Sequence, residues 1–195
     1  MKKLFRIMVI ALPVVAGVWT LLTLWAESAG SKRSWELGKQ ASRRKVLIVY
    51  DPDPFYNLDE QISRSFGQAL ADQGMHVRVA TAEAAREFKD QPFDLYVFCA
   101  NTYNWRPDWV VSNFIKKQVV LENKSVVAIT LGSGSTEASQ KTLEELILKR
   151  KGNLLDSRSL WLTRPNDESR GEESNTKVSV SMAYAWGEQI AKRID

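Results

Sequence analysis

Five short apolar runs, each separated from the next by a helical pattern, constrain the fold of this chain more than any other feature. The runs are 46–50, 77–80, 95–99, 126–131 and 154–162. Branched and aromatic residues dominate them, as is typical of strands that are buried on both faces. Strands that alternate with helices form a parallel sheet with right-handed crossovers. We therefore predict an α/β fold with a doubly wound sheet and helices on both faces.

The longest uncharged stretch lies near the N-terminus, over residues 7–26. As a helix, its roughly 20 residues would be about 30 Å long, which is enough to cross a bilayer. Trp19 and Trp25 suit the aromatic belt at a membrane interface. We therefore predict that residues 1–26 are an uncleaved transmembrane signal-anchor. The alternative is a cleaved signal peptide with its cleavage site around residues 26–28.

The polar and basic stretch 27–44 is predicted to link this membrane anchor to a single domain over residues 45–195. Six basic residues follow the apolar run in 27–45, and three precede it. By the positive-inside rule this excess favours a single-pass membrane protein whose domain is cytoplasmic, although the pair Lys2-Lys3 favours the opposite orientation. The bases of the linker fit either contact with anionic lipid head groups or a plain solvated linker.

Composition and charge argue against several classes of function. The net charge is only +4 and most bases are scattered, so no nucleic-acid partner is predicted. The single cysteine, Cys99, excludes an internal disulfide and argues against a cysteine-built zinc site. The single histidine, His76, precedes a predicted strand, which is the wrong end of a strand for a Ser-His-Asp triad. We therefore predict neither a catalytic residue nor a metal site.

Three polar loops follow predicted strands and are expected to meet at one edge of the sheet. They span residues 51–57, 100–107 and 132–136. Open α/β sheets bind ligands in the crevice outside the carboxyl ends of their strands, which is where these loops would lie. The loop 100–107 follows the apolar run 95–99 and carries both aromatic and polar side chains. We therefore expect the binding site of the protein at this edge.

The residues around these loops resemble the flavodoxin-like family. The first strand reads Val46-Leu47-Ile48-Val49-Tyr50, and the loop after the third strand reads Asn101-Thr102-Tyr103-Asn104-Trp105-Arg106-Pro107. The fourth strand and its turn, Ile129-Thr130-Leu131-Gly132-Ser133-Gly134-Ser135, are similar to those of flavodoxin-like quinone reductases. The resemblance covers residues 45–195. It implies a five-stranded parallel sheet in the order 2-1-3-4-5, and a flavoprotein that binds FMN.

The resemblance also implies which residues would contact FMN. The aromatic rings of Tyr103 and Trp105 would stack on the isoalloxazine ring. The 132–136 turn would border that ring, or a nicotinamide or quinone partner, and Asn57 matches the end of the family's phosphate-binding loop. The cofactor-binding residues implied in this way are Asp51, Asp53, Asn57, Thr102, Tyr103, Asn104, Trp105, Gly132, Ser133 and Gly134.

The 51–57 loop departs from the family's pattern, so two functions stay open. Asp51 and Asp53 would repel a phosphate, and the two prolines of the loop have no N–H to donate. The first function is a membrane-anchored FMN protein for electron transfer or for NAD(P)H- or quinone-type oxidoreduction. The second is a domain that has lost FMN and serves as a membrane-bound interaction module. The same acids could also be solvated turn residues, and Tyr103 and Trp105 could merely pack their loop.

Overall fold

The structure, a computed structural model, describes residues 2–194, and for residues 2–8 and 10 it describes the backbone alone. Helices and strands alternate along most of this range. The helices are α1 (Lys2–Ala26), α2 (Leu58–Asp72), α3 (Ala82–Ala85), α4 (Trp109–Lys117), α5 (Glu137–Lys149) and α6 (Asn175–Ala191). The strands are β1 (Ser34–Leu37), β2 (Lys45–Tyr50), β3 (His76–Thr81), β4 (Leu95–Tyr103), β5 (Arg106–Pro107), β6 (Ser125–Gly132) and β7 (Asn153–Trp161). Short 3₁₀ turns occur at Arg86–Phe88 and Glu168–Arg170.

The described strands form one mostly parallel sheet. The strands lie in the order β1-β3-β2-β4-β6-β7, and the short strand β5 pairs with β4 outside this order. The pairs β3–β2, β2–β4, β4–β6 and β6–β7 are parallel, whereas β1 and β5 pair antiparallel with their neighbours. The prediction of five strands in the order 2-1-3-4-5 is therefore wrong for the sheet as a whole. The two additional strands come from segments that were predicted to be a linker and a loop.

The edge strand β1 lies inside the predicted linker 27–44, so this part of the linker belongs to the sheet. Its four residues pair with β3, with Ser34 opposite Ala80 and Leu37 opposite Val77. The Trp35 ring stacks on Tyr50 of β2 at a centroid distance of 6.4 Å. Four residues of alternating exposure among many charges give no strong strand signal, and charges on an edge strand discourage pairing with other chains.

Two apolar layers cover the two faces of the sheet. On one face, Phe66 of α2 meets Trp186 of α6 edge-on at 5.2 Å, and both side chains are buried. Gly187 lets these helices approach closely, since a Cβ there would lie 2.7 Å from the Phe66 carbonyl oxygen. The other face packs Phe114 of α4 and Ile147 of α5 against the strands. The helices that were predicted from apolar periodicity are therefore present on both faces, as a doubly wound α/β fold requires.

The N-terminal segment forms the single helix α1. Among the residues that the structure fully describes, no helix combines the length and the apolar character needed to cross a membrane. The predicted transmembrane signal-anchor over residues 1–26 is therefore not supported, nor is the membrane localisation that depended on it. Met1 and the side chains of residues 2–8 and 10, which belong to that prediction, lie outside the described part of the chain.

Candidate functional site

Three connections meet at the carboxyl edge of the sheet, as the loop positions predict. They are the β2–α2 loop (residues 51–57), the β4–β5 hairpin (residues 101–107) and the β6–α5 turn (residues 133–136). The parallel strands β2, β4 and β6 are direct neighbours in the sheet, so their ends lie side by side. This is the crevice where open α/β sheets bind ligands.

The segment that was predicted as a loop over 100–107 is largely a β-hairpin. Strand β4 continues to Tyr103, which pairs with Arg106 of β5. Asn104 and Trp105 form the two-residue turn, with φ values of 49° and 60°. Hairpins with a two-residue turn favour the left-handed backbone conformation at both turn residues, and Asn and Gly adopt this conformation far more easily than Trp. Trp105 therefore stores strain of about 1–2 kcal/mol, and its side chain is 66% exposed.

An open cleft of about 700 Å³, called here the ring cleft, lies between this hairpin and the β6–α5 turn. The predicted site residues that line it are Thr102, Asn104, Trp105, Ser133 and Gly134. Four further lining residues were not predicted, namely Trp19, Ser135, Thr163 and Arg164. The cleft thus combines two tryptophans with hydroxyl groups and one guanidinium.

The floor of the ring cleft is tightly packed. A Cβ at Gly132 would lie 2.7 Å from Thr136 Cγ2 and 3.2 Å from Thr102 Cβ, so this glycine is needed for space. Thr102 Oγ1 is buried and has no hydrogen-bond partner among the described residues. The Arg164 guanidinium stacks over the Trp161 ring at 4.4 Å, and its amide donates to the Ser133 carbonyl at 3.0 Å. These contacts hold Arg164 against the β6–α5 turn, and both form part of the polar wall of the cleft.

In the β2–α2 loop, carboxylates of the protein itself accept the hydrogen bonds of the backbone amides. Asp53 Oδ1 accepts from the amides of Phe55 at 2.6 Å and Tyr56 at 3.2 Å. The amide of Asp53 donates to Asp59 Oδ2 at 2.6 Å. Tyr103 completes the arrangement, because its hydroxyl donates to Asp53 Oδ2 at 2.5 Å. We call this the closed β2–α2 loop, because carboxylates of the protein itself already accept the hydrogen bonds of these backbone amides.

Asn57 occupies the N-cap position of α2 but does not cap the helix with its side chain. Its Oδ1 instead accepts from Gln61 Nε2 at 2.6 Å, and the residue is exposed. Asp59, in the first turn of α2, is the buried anion at this helix end, and Asn101 Nδ2 donates to it at 3.0 Å.

Buried acids lie directly behind the three connections. Burial raises the pKa of Asp51 to about 7, although the Gly30 amide donates to its Oδ1 at 3.1 Å. Burial likewise raises the pKa of Asp59 to about 6. Burial also holds the pKa of Asp108, which caps α4, well above its ordinary value. The interpretation of Asp51 as a solvated turn acid is therefore wrong. Among the described side chains, no three acids, histidines or cysteines are arranged to hold a metal ion.

The end of α1 packs against the same edge, which the sequence did not predict. Trp25 meets Phe55 of the β2–α2 loop edge-on at 5.1 Å. Asn104 Nδ2 donates to Thr23 Oγ1 at 3.3 Å. Just beyond the helix, Glu27 Oε2 accepts from the amide of Trp109 at 2.6 Å, and burial raises the pKa of this carboxyl. The segment that was interpreted as an anchor thus contributes to the walls of the site.

The structure brings most of the predicted site residues together in two groups. Five line the ring cleft, Asp51 and Asp53 belong to the closed β2–α2 loop, and Tyr103 of the hairpin hydrogen-bonds to that loop. Gly132 lies beneath the cleft, and Asn57 faces solvent. Neither Asp59 nor Asp108 is among the predicted site residues, although acids at the start of a helix are a recognisable signal of helix capping. Sequence reasoning missed Arg164 because nothing in the 163–174 loop distinguishes that base.

Comparison with known proteins identifies the fold. No family model and no curated protein sequence matches the chain. Among solved structures, a flavodoxin from the domain Archaea superposes with a TM-score of 0.60 at 13% identity, covering 77% of this chain and 98% of that one. Flavodoxin 1 from Bacillus cereus gives 0.56 at 15% identity, covering 76% and 97%. Rubredoxin oxygen:oxidoreductase from Desulfovibrio gigas gives 0.57 at 17% identity, covering 80% of this chain and 38% of that protein. The fold of this chain is flavodoxin-like.

Proposed function

We propose that this chain is a flavodoxin-like electron-transfer protein that holds the isoalloxazine ring of a flavin in the ring cleft. The observation that carries the proposal is the ring cleft itself, an open cavity at the carboxyl edge of the sheet beside an exposed and strained Trp105. A strained backbone conformation persists where the surrounding contacts hold it in place, and residues with such strain cluster at functional sites. Flavodoxin-like sheets hold their flavin at this edge.

The side chains around the cleft suit a flat ring with polar edges. Trp105 offers an exposed aromatic face for stacking, which is worth about 0.5–1.5 kcal/mol beyond the buried area. Ser133 and Ser135 offer hydroxyl groups to the polar atoms of the ring. Arg164, which pairs with Glu137 at 3.5 Å, places a guanidinium beside the cleft that partly offsets the negative charge that reduction places on a bound ring. When bound, a flavin supplies the redox chemistry that these side chains lack.

FMN has two parts, and the residues fit them unequally. They fit its ring, as the size and lining of the cleft indicate. They do not fit its phosphate at the start of α2, because Asp53 and Asp59 already accept the loop's amide hydrogen bonds. The electron donor or acceptor that we propose is a redox protein or a quinone, since the cleft is open to solvent beside Trp105.

The second candidate function is an interaction module that binds no flavin. The closed β2–α2 loop favours it, since this loop presents anions where a phosphate needs donors. Binding of any flavin by the purified protein separates the two candidates.

The test is a titration of the full chain with flavin, followed by flavin and tryptophan fluorescence. We expect saturable binding to the wild type, and we expect Trp105→Ala to weaken it about tenfold or more, because stacking and ring burial are both lost. Trp109→Ala is the matched control, since Trp109 is also exposed but lies outside the ring cleft. Equal weakening by both substitutions, or no binding to the wild type, would contradict the proposal.

A further inference from the structure

Resting on the flavin site proposed above, we infer that this cleft selects a flavin that carries no phosphate, the chemical class of riboflavin, over FMN. The carboxylates of Asp53 and Asp59 occupy the hydrogen-bond donors that a phosphate at the start of α2 would need. The specificity of the site is thus set by the closed β2–α2 loop, while the ring cleft supplies the affinity.

The start of α2 is the place where a phosphate would be expected. A helix N-terminus beside a ligand crevice binds anions through its free amides and its dipole. Here the amides of Phe55 and Tyr56 donate to Asp53, and the amide of Asp53 donates to Asp59. Pro52 and Pro54 have no amide hydrogen to offer. A phosphate arriving at this loop would therefore have to displace an internal carboxylate.

Charge acts in the same direction as the occupied donors. Asp53 and Asp59 lie within seven residues of the chain, at or next to this loop. The nearby bases Arg33 and Arg64 pair with Glu60 instead, and no ion pair to these two acids is found among the described residues. A phosphate dianion a few ångströms from such carboxylates is repelled, whereas a neutral ribityl chain is not.

The loop is also fastened to the cleft side of the site. The Tyr103 hydroxyl donates to Asp53 Oδ2 at 2.5 Å and so ties the loop to the β4–β5 hairpin. Asn101 Nδ2 donates to the Asp51 carbonyl oxygen at 3.0 Å and ties the start of the loop to β4. Two independent ties make a rearrangement of the loop around a phosphate costly.

The test compares riboflavin and FMN in parallel titrations of the full chain. For the wild type we expect riboflavin to bind at least about tenfold more tightly than FMN, because the phosphate gains no donors and meets like charge. Asp53→Ser removes one carboxylate and frees the amides of Phe55 and Tyr56. We expect it to strengthen FMN binding at least about tenfold while riboflavin binding changes little.

Two further variants isolate the cause. Asp53→Asn removes the charge but keeps a side-chain oxygen that can accept the hydrogen bonds of the loop amides. We therefore expect a gain in FMN affinity smaller than that of Asp53→Ser. Asp90→Ser removes an exposed acid before β4, at the opposite edge of the sheet, and should leave both flavin affinities unchanged. An unchanged riboflavin affinity in each variant shows that the ring cleft is still folded.

The outcomes distinguish failure of the inferred specificity from failure of the flavin site. FMN binding as tight as riboflavin, or tighter, overturns the inferred specificity and leaves the flavin site standing. Absence of binding by both flavins up to about 500 µM overturns the flavin site and the inferred specificity together. An Asp53→Ser variant that keeps the wild-type preference shows that the β2–α2 loop does not set specificity, which also overturns the inference.

Discussion

Trp105 lines the ring cleft at a cost to stability. Its φ of 60° places a bulky side chain in the left-handed region at the tip of the β4–β5 hairpin. The side chain is largely exposed, so little burial offsets this strain. Folding alone therefore does not explain a tryptophan at this position, which supports the binding role that we propose for it.

We expect Trp105→Gly to raise the free energy of unfolding by about 1 kcal/mol, since glycine adopts a positive φ without strain. The same substitution should weaken flavin binding, because the stacking face is lost. Urea unfolding and flavin titration measure the two effects. Lys151→Gly is the matched control, because Lys151 has the same φ of 60° but is remote from the ring cleft. It should stabilise the protein and leave flavin binding unchanged, and a loss of stability in Trp105→Gly would show that the hairpin is not strained.

At the scale of elements, the packing of α2 against α6 anchors the helix that carries the β2–α2 loop. Gly187 of α6 faces the α2 backbone, and an added Cβ would also lie 2.8 Å from the Cβ of Ala69. The Ser65 hydroxyl donates to the carbonyl of Val180 at 2.8 Å across the same interface. Because α2 follows the loop directly, the spacing of these helices positions Asp59 at the edge of the sheet.

We expect Gly187→Ala to destabilise the protein by about 1–3 kcal/mol, because the methyl group must push the two helices apart. The gain in helix propensity of about 1 kcal/mol offsets part of this loss. Thermal unfolding measures the net effect. Gly171→Ala is the control, since its added Cβ would approach no atom closer than 3.7 Å. If both variants unfold like the wild type, the contact between α2 and α6 is looser than its geometry indicates.

At the scale of the whole molecule, buried carboxyl groups make stability depend on pH. The pKa of Asp51 rises from an ordinary 3.8 to about 7 because of burial. The folded protein therefore binds more protons than the unfolded chain between about pH 4 and pH 7. The contribution of Asp51 to stability is fully present below this window and is lost as the pH rises through it. Asp59, with a pKa raised to about 6, acts in the same direction.

We expect Asp51→Asn to stabilise the protein by about 2–4 kcal/mol at pH 8, where the wild type must bury a charged carboxylate. At pH 4 the two proteins should differ little, because Asp51 is then neutral in the folded state. An amide oxygen at this position can still accept from the Gly30 amide. Urea unfolding at both pH values is the measurement, with the exposed Asp90→Asn as control. A stabilisation that does not depend on pH would contradict the role assigned to burial.

The sequence by itself determined the parallel core of the sheet and the helices on its faces. Apolar runs such as 46–50 and 126–131 carry hydrophobic side chains on both faces of a strand, and these side chains are buried only when helices cover both faces of the sheet. The local pattern therefore predicts their burial. The position of the site at the carboxyl edge follows from the same pattern, because strand direction alone places the loops there.

Only the tertiary structure decided which groups meet at that edge. The Tyr103–Asp53 and Asn101–Asp59 hydrogen bonds join positions 50 and 42 residues apart, which no local pattern specifies. Strand β1 exists because β3 offers it an unpaired edge, and its own four residues carry little strand signal. Hydrogen bonds depend on distances of about 3 Å and on direction, and these are set when the chain packs as a whole. For that reason the closed β2–α2 loop, and the ligand preference inferred from it, could be identified only from the folded chain.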